Sequence, residues 1–345
     1  MKTLLQKLGS PWRKALGQGG VLAFRASADR FSWVELAPGK TWPREVLGVG
    51  DLERGADDAQ QWMHRLGALG LGGGQVIALL ELDDYAVYKL PAPNVPPDEL
   101  KAAARWQLKE LVEGKLEQLT IDVLQAGDDA RSHKEMLVFA ARNAAIERVC
   151  QAGTASARET RVVDVWETAQ RNLQTAQAAL DGLADKATAT IMLLPGQCLL
   201  TISAGEELYY TRRLDADDRL FDRATSTARE AVREEVPLGF EYMPGDELNF
   251  GSTESEESSL IIELQRSIDV WERSWPGLPL SRLYVLSTDH AEAVARLLQK
   301  ELGLRTLALL PQQLFKGEAL SQEGGLPAAC LPLLGAALRD DTASP

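Results

Sequence analysis

The chain has 345 residues, 45% of them apolar, and a formal net charge of −13. That is enough apolar material for two compact domains or one large α/β domain with insertions, and it excludes global disorder. Affinity for nucleic acid grows with the number of phosphates neutralised, so an acidic chain without a long basic run is expected to have no nucleic-acid partner.

The N-terminus, MKTLLQKLGSPW, lacks the uninterrupted apolar core of a secretory signal. It sets Leu4, Leu5, Leu8 and Trp12 beside Lys2, Lys7, Arg13 and Lys14, with no acid before Asp29. Residues 1–16 therefore read either as a short interfacial helix drawn to anionic lipid or as a leader that frays or packs on its own domain. The second is the simpler reading, because Pro11 shortens any helix there. The globular part opens with Val21–Phe24, a small or polar break from Ser27 to Arg30, and Phe31–Leu36, the pattern of a β-hairpin flanked by Arg25 and Ser27. LGLGGGQVIALL (69–80) is glycine-rich, but it lacks the Gly-Lys-Ser/Thr ending of a P-loop and reads as a helix stop before a strand.

From about Asp83 to Leu124 an insertion is expected. VYKLPAPNVPPDEL is extended and proline-rich, and Asp98 then caps a helix through Leu111. Leu100, Ala104, Leu108 and Leu111 share one face of that helix and Trp106 lies on the opposite flank. Packing against a neighbouring element is the simpler reading of Trp106, and exposure to a partner is the other. The first half closes with strand Glu135–Ala141, a helix from Asn143 to about Gln151, strand Arg161–Val165 and a helix beyond Trp166.

The second half repeats the plan. TIMLLPGQCLLTISAGEELYYTRRL is another hairpin-like pair; strand Arg282–Ser287, helix His290–Leu302 capped by Gly303, and strand RTLALL close it. Its own insertion, about 215–265, holds a charged helical stretch around Leu220–Val236 and the acidic PGDELNFGSTESEESS, read as a mobile solvated loop without the spacing of a calcium-binding loop. A helix then carries Ile261, Leu264, Ile268, Trp271 and Trp275 as an apolar stripe expected in the core. Strand–helix–strand alternation implies parallel pairing in each half.

Several chemistries are not indicated. Cys150, Cys198 and Cys330 are far apart and odd in number, which fits neither a disulfide framework nor a thiolate zinc site and is compatible with a reducing cytosol. His64, His133 and His290 show no metal-ligand spacing and read as surface residues, so no metal is expected. No nucleophile elbow accompanies Asp289-His290. No run approaches the ~18–20 apolar residues that span a bilayer.

Taken together the plan resembles the actin-like (ribonuclease H-like) fold shared by actin, the Hsp70 ATPase domain and sugar kinases. More narrowly the sequence resembles the type IV pilus assembly protein PilM and its relative in mannose-sensitive haemagglutinin (MSHA) pilus biogenesis, MshI, the latter being the better fit. The resemblance is carried by ELKAAARWQLKELVEGKLEQLTIDV (99–123), MLVFAARNAAIERV, ELYYTRRL, SIDVWERSW and the closing LPLLGAALR (331–339). It spans Val21 to Arg339; each motif is weak alone, while their order and spacing are more specific. It implies a duplicated two-domain α/β fold with an inserted subdomain in each half. The expected boundaries are a leader at 1–20, domain I at 21–185, domain II at 186–325, and a C-terminal helix at 326–340 returning to domain I.

In actin-like ATPases each opening hairpin supplies a phosphate loop whose Asp organises Mg²⁺ and whose Gly, two residues later, admits the phosphates. Here the first loop offers Arg25 and Ser27 at those places, and an arginine cannot ligate a cation. The second reads Leu194-Pro195-Gly196, where Gly is kept, the acid has become Leu, and Pro removes a donor. The loop expected to hold the adenine reads Ser287-Thr288-Asp289, with Asp289 as a helix N-cap that repels an anion. No base near these loops is evident, although Arg25 could hold a phosphate without metal. The expectation is a degenerate nucleotide site, no catalysis and no cofactor, the alternative being ATP with Mg.

For function the resemblance implies a cytoplasmic scaffold on the inner-membrane platform of an MSHA-type pilus, held at the membrane through partners. It would dock the cytoplasmic tail of a PilN-like single-pass protein beside the first inserted subdomain, and other pilus assembly proteins would join it. An extended tail binds well at a sheet edge, and Tyr88 and Trp106 are the partner-binding candidates. The alternatives are a functional actin-like ATPase or kinase, and the scaffold of a type II secretion platform. The latter family carries an anchor in the same chain, whereas the tail DDTASP after Arg339 is polar and short.

Overall fold

The computed structural model describes residues 20–72, 74–112, 115–126, 135–156, 159–216, 219–234, 258–320 and 326–339. The leader to residue 19, most of the acidic segment in the second insertion, and His133 lie outside the described residues. The chain divides into two compact units, one of residues 1–177, 206–209 and 310–345, the other of 178–205 and 210–309.

In the first unit, β1 (Val21–Ala26) and β2 (Arg30–Leu36) form the antiparallel hairpin, and β3 (Arg44–Glu53) extends it. After helix α1 (Ala59–Ala68), whose capping box joins Asp58 and Gln61, β4 (Gln75–Leu79) returns parallel to β1. The six-stranded sheet runs β14-β3-β2-β1-β4-β8, with β8 (Val162–Asp164) and the two-residue β14 (Phe315–Lys316) at its edges. Alternation decides its faces. Phe24, Phe31 and Trp33 share one face, with the two phenyl rings stacked at 5.2 Å. On the other face register aligns a mostly polar row across five strands: Asp51, Ser32, Arg25, Leu79 and Asp164. Helix α3 (Asn143–Ser156) contacts β1 and β4, and α4 (Trp166–Leu180) follows β8.

Between β4 and α3 sits a small antiparallel sheet, order β5-β7-β6, made of β5 (Tyr85–Pro91), β6 (Leu119–Ala126) and β7 (Glu135–Arg142). Helix α2 (Pro97–Leu108) closes its core with Ala104 and Leu108 against Leu90, Ile121, Met136, Val138 and Ala140. Two expectations are corrected here. Strand β7 does not join the main sheet; it is the centre of the inserted one, so the subdomain runs to Arg142 and not to about 124. Met136–Ala141 are buried without a break, which a central strand satisfies by pairing on both edges. Helix α2 starts after Pro96 and ends at Leu108, so Asp98 lies in its first turn instead of capping it, and Leu111 is exposed.

The second unit repeats the sheet. Its order is β11-β10-β9-β12-β13, built from β9 (Ala187–Leu194), β10 (Gln197–Ala204), β11 (Glu207–Asp215), β12 (Leu280–Leu286) and β13 (Thr306–Ala308). Strands β9 and β10 are antiparallel, and β9, β12 and β13 parallel. Strand for strand this is β3-β2-β1-β4-β8 of the first unit, so the two halves share one plan. Helix α5 (Arg219–Glu234) matches the charged stretch. Helix α6 (Ser259–Ser274) buries Ile261, Leu264, Ile268 and Trp271, with Trp275 buried just beyond, which is the stripe read from the sequence. Helix α7 (Ala291–Leu302) lies on β12 and β13. The chain then passes through the single turn α8 (Pro311–Leu314), β14 and, in the first unit, α9 (Leu331–Ala337), which packs on β1, β2 and β4. His64 and His290 are exposed. Among the described residues no helix is long and apolar enough to cross a membrane.

Candidate functional site

Ligands of parallel α/β sheets sit beyond the C-terminal ends of the strands. In the first unit those ends belong to β1, β4 and β8, and each carries a charge there: Arg25, Glu81 and Asp164.

Arg25 faces along the polar row and reaches the carboxylate of Glu81 with both arms of its fork. Its Nε donates to Oε1 at 3.0 Å and its Nη2 to Oε2 at 2.7 Å. The guanidinium lies 5.3 Å from the ring centroid of Trp166, a cation–π distance. Trp166 is itself fixed, because its Nε1 donates to the Leu80 carbonyl at 2.7 Å. Both charged side chains are about four-fifths buried, at 19% and 20% exposure. A bidentate pair of this kind is among the stronger charge-assisted contacts. The fork that could take a phosphate is therefore already engaged.

Ser27 turns the hairpin. Its hydroxyl accepts from the Arg30 amide at 3.1 Å and donates to Asp29 Oδ1 at 2.6 Å, and that bond holds the Asp29 carboxyl below its ordinary value. The serine closes the turn with its side chain, where a glycine would leave the backbone open. Farther along the row, Ser32 Oγ donates to Asp51 Oδ1 at 2.8 Å and Arg30 Nη1 to Asp51 Oδ2 at 2.7 Å. Cys330, just before α9, points its thiol at the Gly50 and Trp33 carbonyls. Burial, and secondarily the Asp51 carboxylate, push that thiol up to about 12.

At the end of β8, Asp164 is buried. Its Oδ1 accepts from the Val165 amide at 2.9 Å, from Thr168 Oγ1, and from Arg339 Nη1 at 2.8 Å. Its Oδ2 has no partner among the described residues. Arg339, the last residue of the closing motif, thus ties the end of the C-terminal helix to the sheet.

In the second unit Pro195 and Gly196 make a two-residue turn between β9 and β10, with Leu194 paired to Gln197. Gly196 has φ +73°, and a Cβ there would meet nothing within 4 Å. The glycine serves the turn's left-handed corner and not a close approach. Ser287, Thr288 and Asp289 follow β12, which lies parallel to β9, so both loops sit at the same end of adjacent strands. One expectation is corrected: Asp289 is not the N-cap of α7. The cap is His290, in the left-handed region at φ 56°, with no side-chain cap bond. The chain needs that kink to turn from strand to helix, which moves the helix start one residue on and leaves Asp289 bonded to Thr288 Oγ1 at 3.2 Å.

The two partner candidates separate. Trp106 is 74% exposed on α2, so of its two readings packing is the one that does not hold. Tyr88, on edge strand β5, is half-buried against the subdomain core. Glu81, Asp164 and Arg339 were not singled out from the sequence. The usable signal was a charged residue closing an apolar run, in VIALLE and VVD, at the end of a parallel strand. Among the described residues no group of three or more His, Cys, Asp or Glu could hold a metal ion.

No protein-family model matches this sequence, nor does any curated protein. Among solved structures, the PilM–PilN type IV pilus biogenesis complex is similar at a TM-score of 0.61 and 16% identity, covering 92% of this chain and 96% of that one. A Bacteroides thetaiotaomicron protein with an actin-like ATPase fold and unknown function gives 0.46 at 9% identity, covering 88% and 95%. The cytoplasmic domain of EpsL, an inner-membrane component of the Vibrio cholerae type II secretion system, gives 0.42 at 13% identity, covering 93% and 95%. At such identity the likeness speaks to the fold: the chain has the duplicated actin-like two-domain fold.

Proposed function

We propose that this chain is a non-catalytic scaffold of a type IV pilus assembly platform, of the MSHA type, that docks the cytoplasmic tail of a PilN-like single-pass membrane protein. It works in the cytoplasm and reaches the inner membrane through its partners. The observation that carries the reading is the Arg25–Glu81 pair. A cation stands where the resemblance calls for a metal-organising acid, and the carboxylate of Glu81, just beyond β4, is engaged with it. The pair does not fit a magnesium–phosphate group: its guanidinium repels the metal, and the carboxylate beside it is already neutralised. The likeness to the PilM–PilN complex supports a partner of that class, and the exposed Trp106 on the inserted subdomain supports a docking face there.

The decisive experiment pairs two measurements. A synthetic PilN-like tail immobilised on beads should retain the chain, and retention should fall with Trp106→Ala. Melting curves should not shift with millimolar Mg-ATP, since a ligand of the folded state alone raises Tm by mass action. Failure of the tail to bind, or a clear rise in Tm, would overturn the reading. Nucleotide turnover is the second reading, and Asp164, a buried carboxylate at the end of β8 whose Oδ2 has no partner among the described residues, is what favours it. The same melting curve separates the two.

A further inference from the structure

We propose that the run Glu81–Asp84 is a charge-pinned strut coupling the β1–β2 hairpin to the inserted subdomain, so that the setting of the subdomain on the six-stranded sheet depends on Arg25.

The run is short and stiff. Leu82–Asp84 form a single 3-10 turn in which the Asp84 amide donates to the Glu81 carbonyl at 2.9 Å. One end is held by the Arg25 fork. The other is held by Asp84, whose side chain is 5% exposed and carries two arginines: Arg142 Nη2 on Oδ1 at 2.8 Å, and Arg148 Nη2 on Oδ2. Those arginines come from different places. Arg142 is the last residue of β7, and it also donates to the Asp83 carbonyl at 2.9 Å. Arg148 lies on α3, and its Nε reaches the Ala26 carbonyl at 3.2 Å, one residue from Arg25.

The consequence is topological. The chain passes into the subdomain through Glu81–Asp84 and back out through Arg142–Asn143, and a subdomain on two connections swivels at them unless they are held. One buried carboxylate holds both. The contacts then close a ring: Arg25 to Glu81, through the turn to Asp84, across to Arg148, and back to Ala26 beside Arg25. Tyr85 adds a third tie. Its hydroxyl donates to Glu167 Oε2 at 2.6 Å and accepts from the amide of Trp166, the residue whose ring Arg25 lies over, at 3.0 Å. A buried charge left unpaired is costly, so a change at Arg25 moves Glu81 toward water and slackens the strut. The coupling rests on charges of the first unit alone and stands whether or not the subdomain docks a tail.

The test is hydrogen exchange on the full chain without any partner, comparing Arg25→Glu, Glu81→Arg and the double swap. Each single reversal should speed exchange of the β5 and β7 amides by roughly tenfold, and the swap should restore protection. Asp84→Asn should give the same pattern from the other end of the strut. Should a reversal unfold the chain, Arg25→Lys and Glu81→Gln provide the same comparison at smaller cost. Faster exchange confined to β1 and β2 with β5 and β7 unchanged would overturn the proposal, as would a swap that restores nothing.

Discussion

Gly335 of α9 lies against Ala169 of α4 so closely that a Cβ on it would stand 2.1 Å from the Ala169 carbonyl oxygen. Asn172 Nδ2 holds the same contact, donating to the Gly335 carbonyl at 3.0 Å. The glycine in the closing motif is there for contact between backbones. Gly335→Ala should destabilise the chain by about 1–3 kcal/mol, the usual cost of overfilling a tight contact. Urea denaturation would measure it, and an unchanged midpoint would mean that α9 seats differently.

Arg25 and Glu81 should behave as one unit. Removing one partner of a fully buried ion pair costs about 3–5 kcal/mol, and with each side chain about a fifth exposed a loss nearer 2–3 kcal/mol is expected from Arg25→Ala or Glu81→Ala. The double variant should lose much less than the sum, because neither charge is then stranded. Additive losses in a denaturation cycle would show that the contact carries no coupling.

The aromatic pair on the subdomain should divide stability from binding. Trp106 is largely in solvent, so Trp106→Ala should change stability by no more than about 0.5 kcal/mol while weakening capture of a tail peptide. Tyr88 packs against the subdomain core, so Tyr88→Ala should destabilise by about 1–2 kcal/mol, less than a fully buried aromatic would. The reverse ranking in a denaturation series would contradict these placements.

Alkali should weaken the fold through its buried thiols. Cys330 is raised from 9.0 to about 12, first by burial, and Cys198 is raised by burial as well. Tyr284 is raised from 10.0, by burial first and then by its hydrogen bond to Asp181. Above pH 9 the unfolded chain releases these protons before the folded one, so the unfolded state binds fewer and stability falls as pH rises. The contribution of Cys330 is intact below pH 9 and is lost as pH climbs toward about 12. Cys330→Ala should flatten that fall by up to about 1.4 kcal/mol per pH unit. In native conditions iodoacetamide should modify the half-buried Cys150 while sparing Cys198 and Cys330 until the chain unfolds. Equal labelling of all three would refute this.

What the sequence determined by itself was the part written in neighbouring residues. Alternation gave both hairpins, the 3.6-residue stripe gave the buried face of α6 with Trp271 and Trp275, and the glycines after α1 marked a helix end. The places of Arg25 and Leu194 at the turns of the two hairpins were also legible, because they need only the local alternation. Tertiary structure decided the rest. Strand β7 reads the same whether it joins one sheet or another, since periodicity records burial and not the neighbour that provides it. Trp106 sits on a helix whose pattern allows either exposure or a second packing partner, and only the assembled subdomain shows the face uncovered. Glu81 meets Arg25 across 56 residues, Arg148 reaches Asp84 across 64 and Arg339 meets Asp164 across 175. A charge in a sequence carries no address for its counter-ion. Low-dielectric burial makes that partner matter, and it arises only when the strands are side by side.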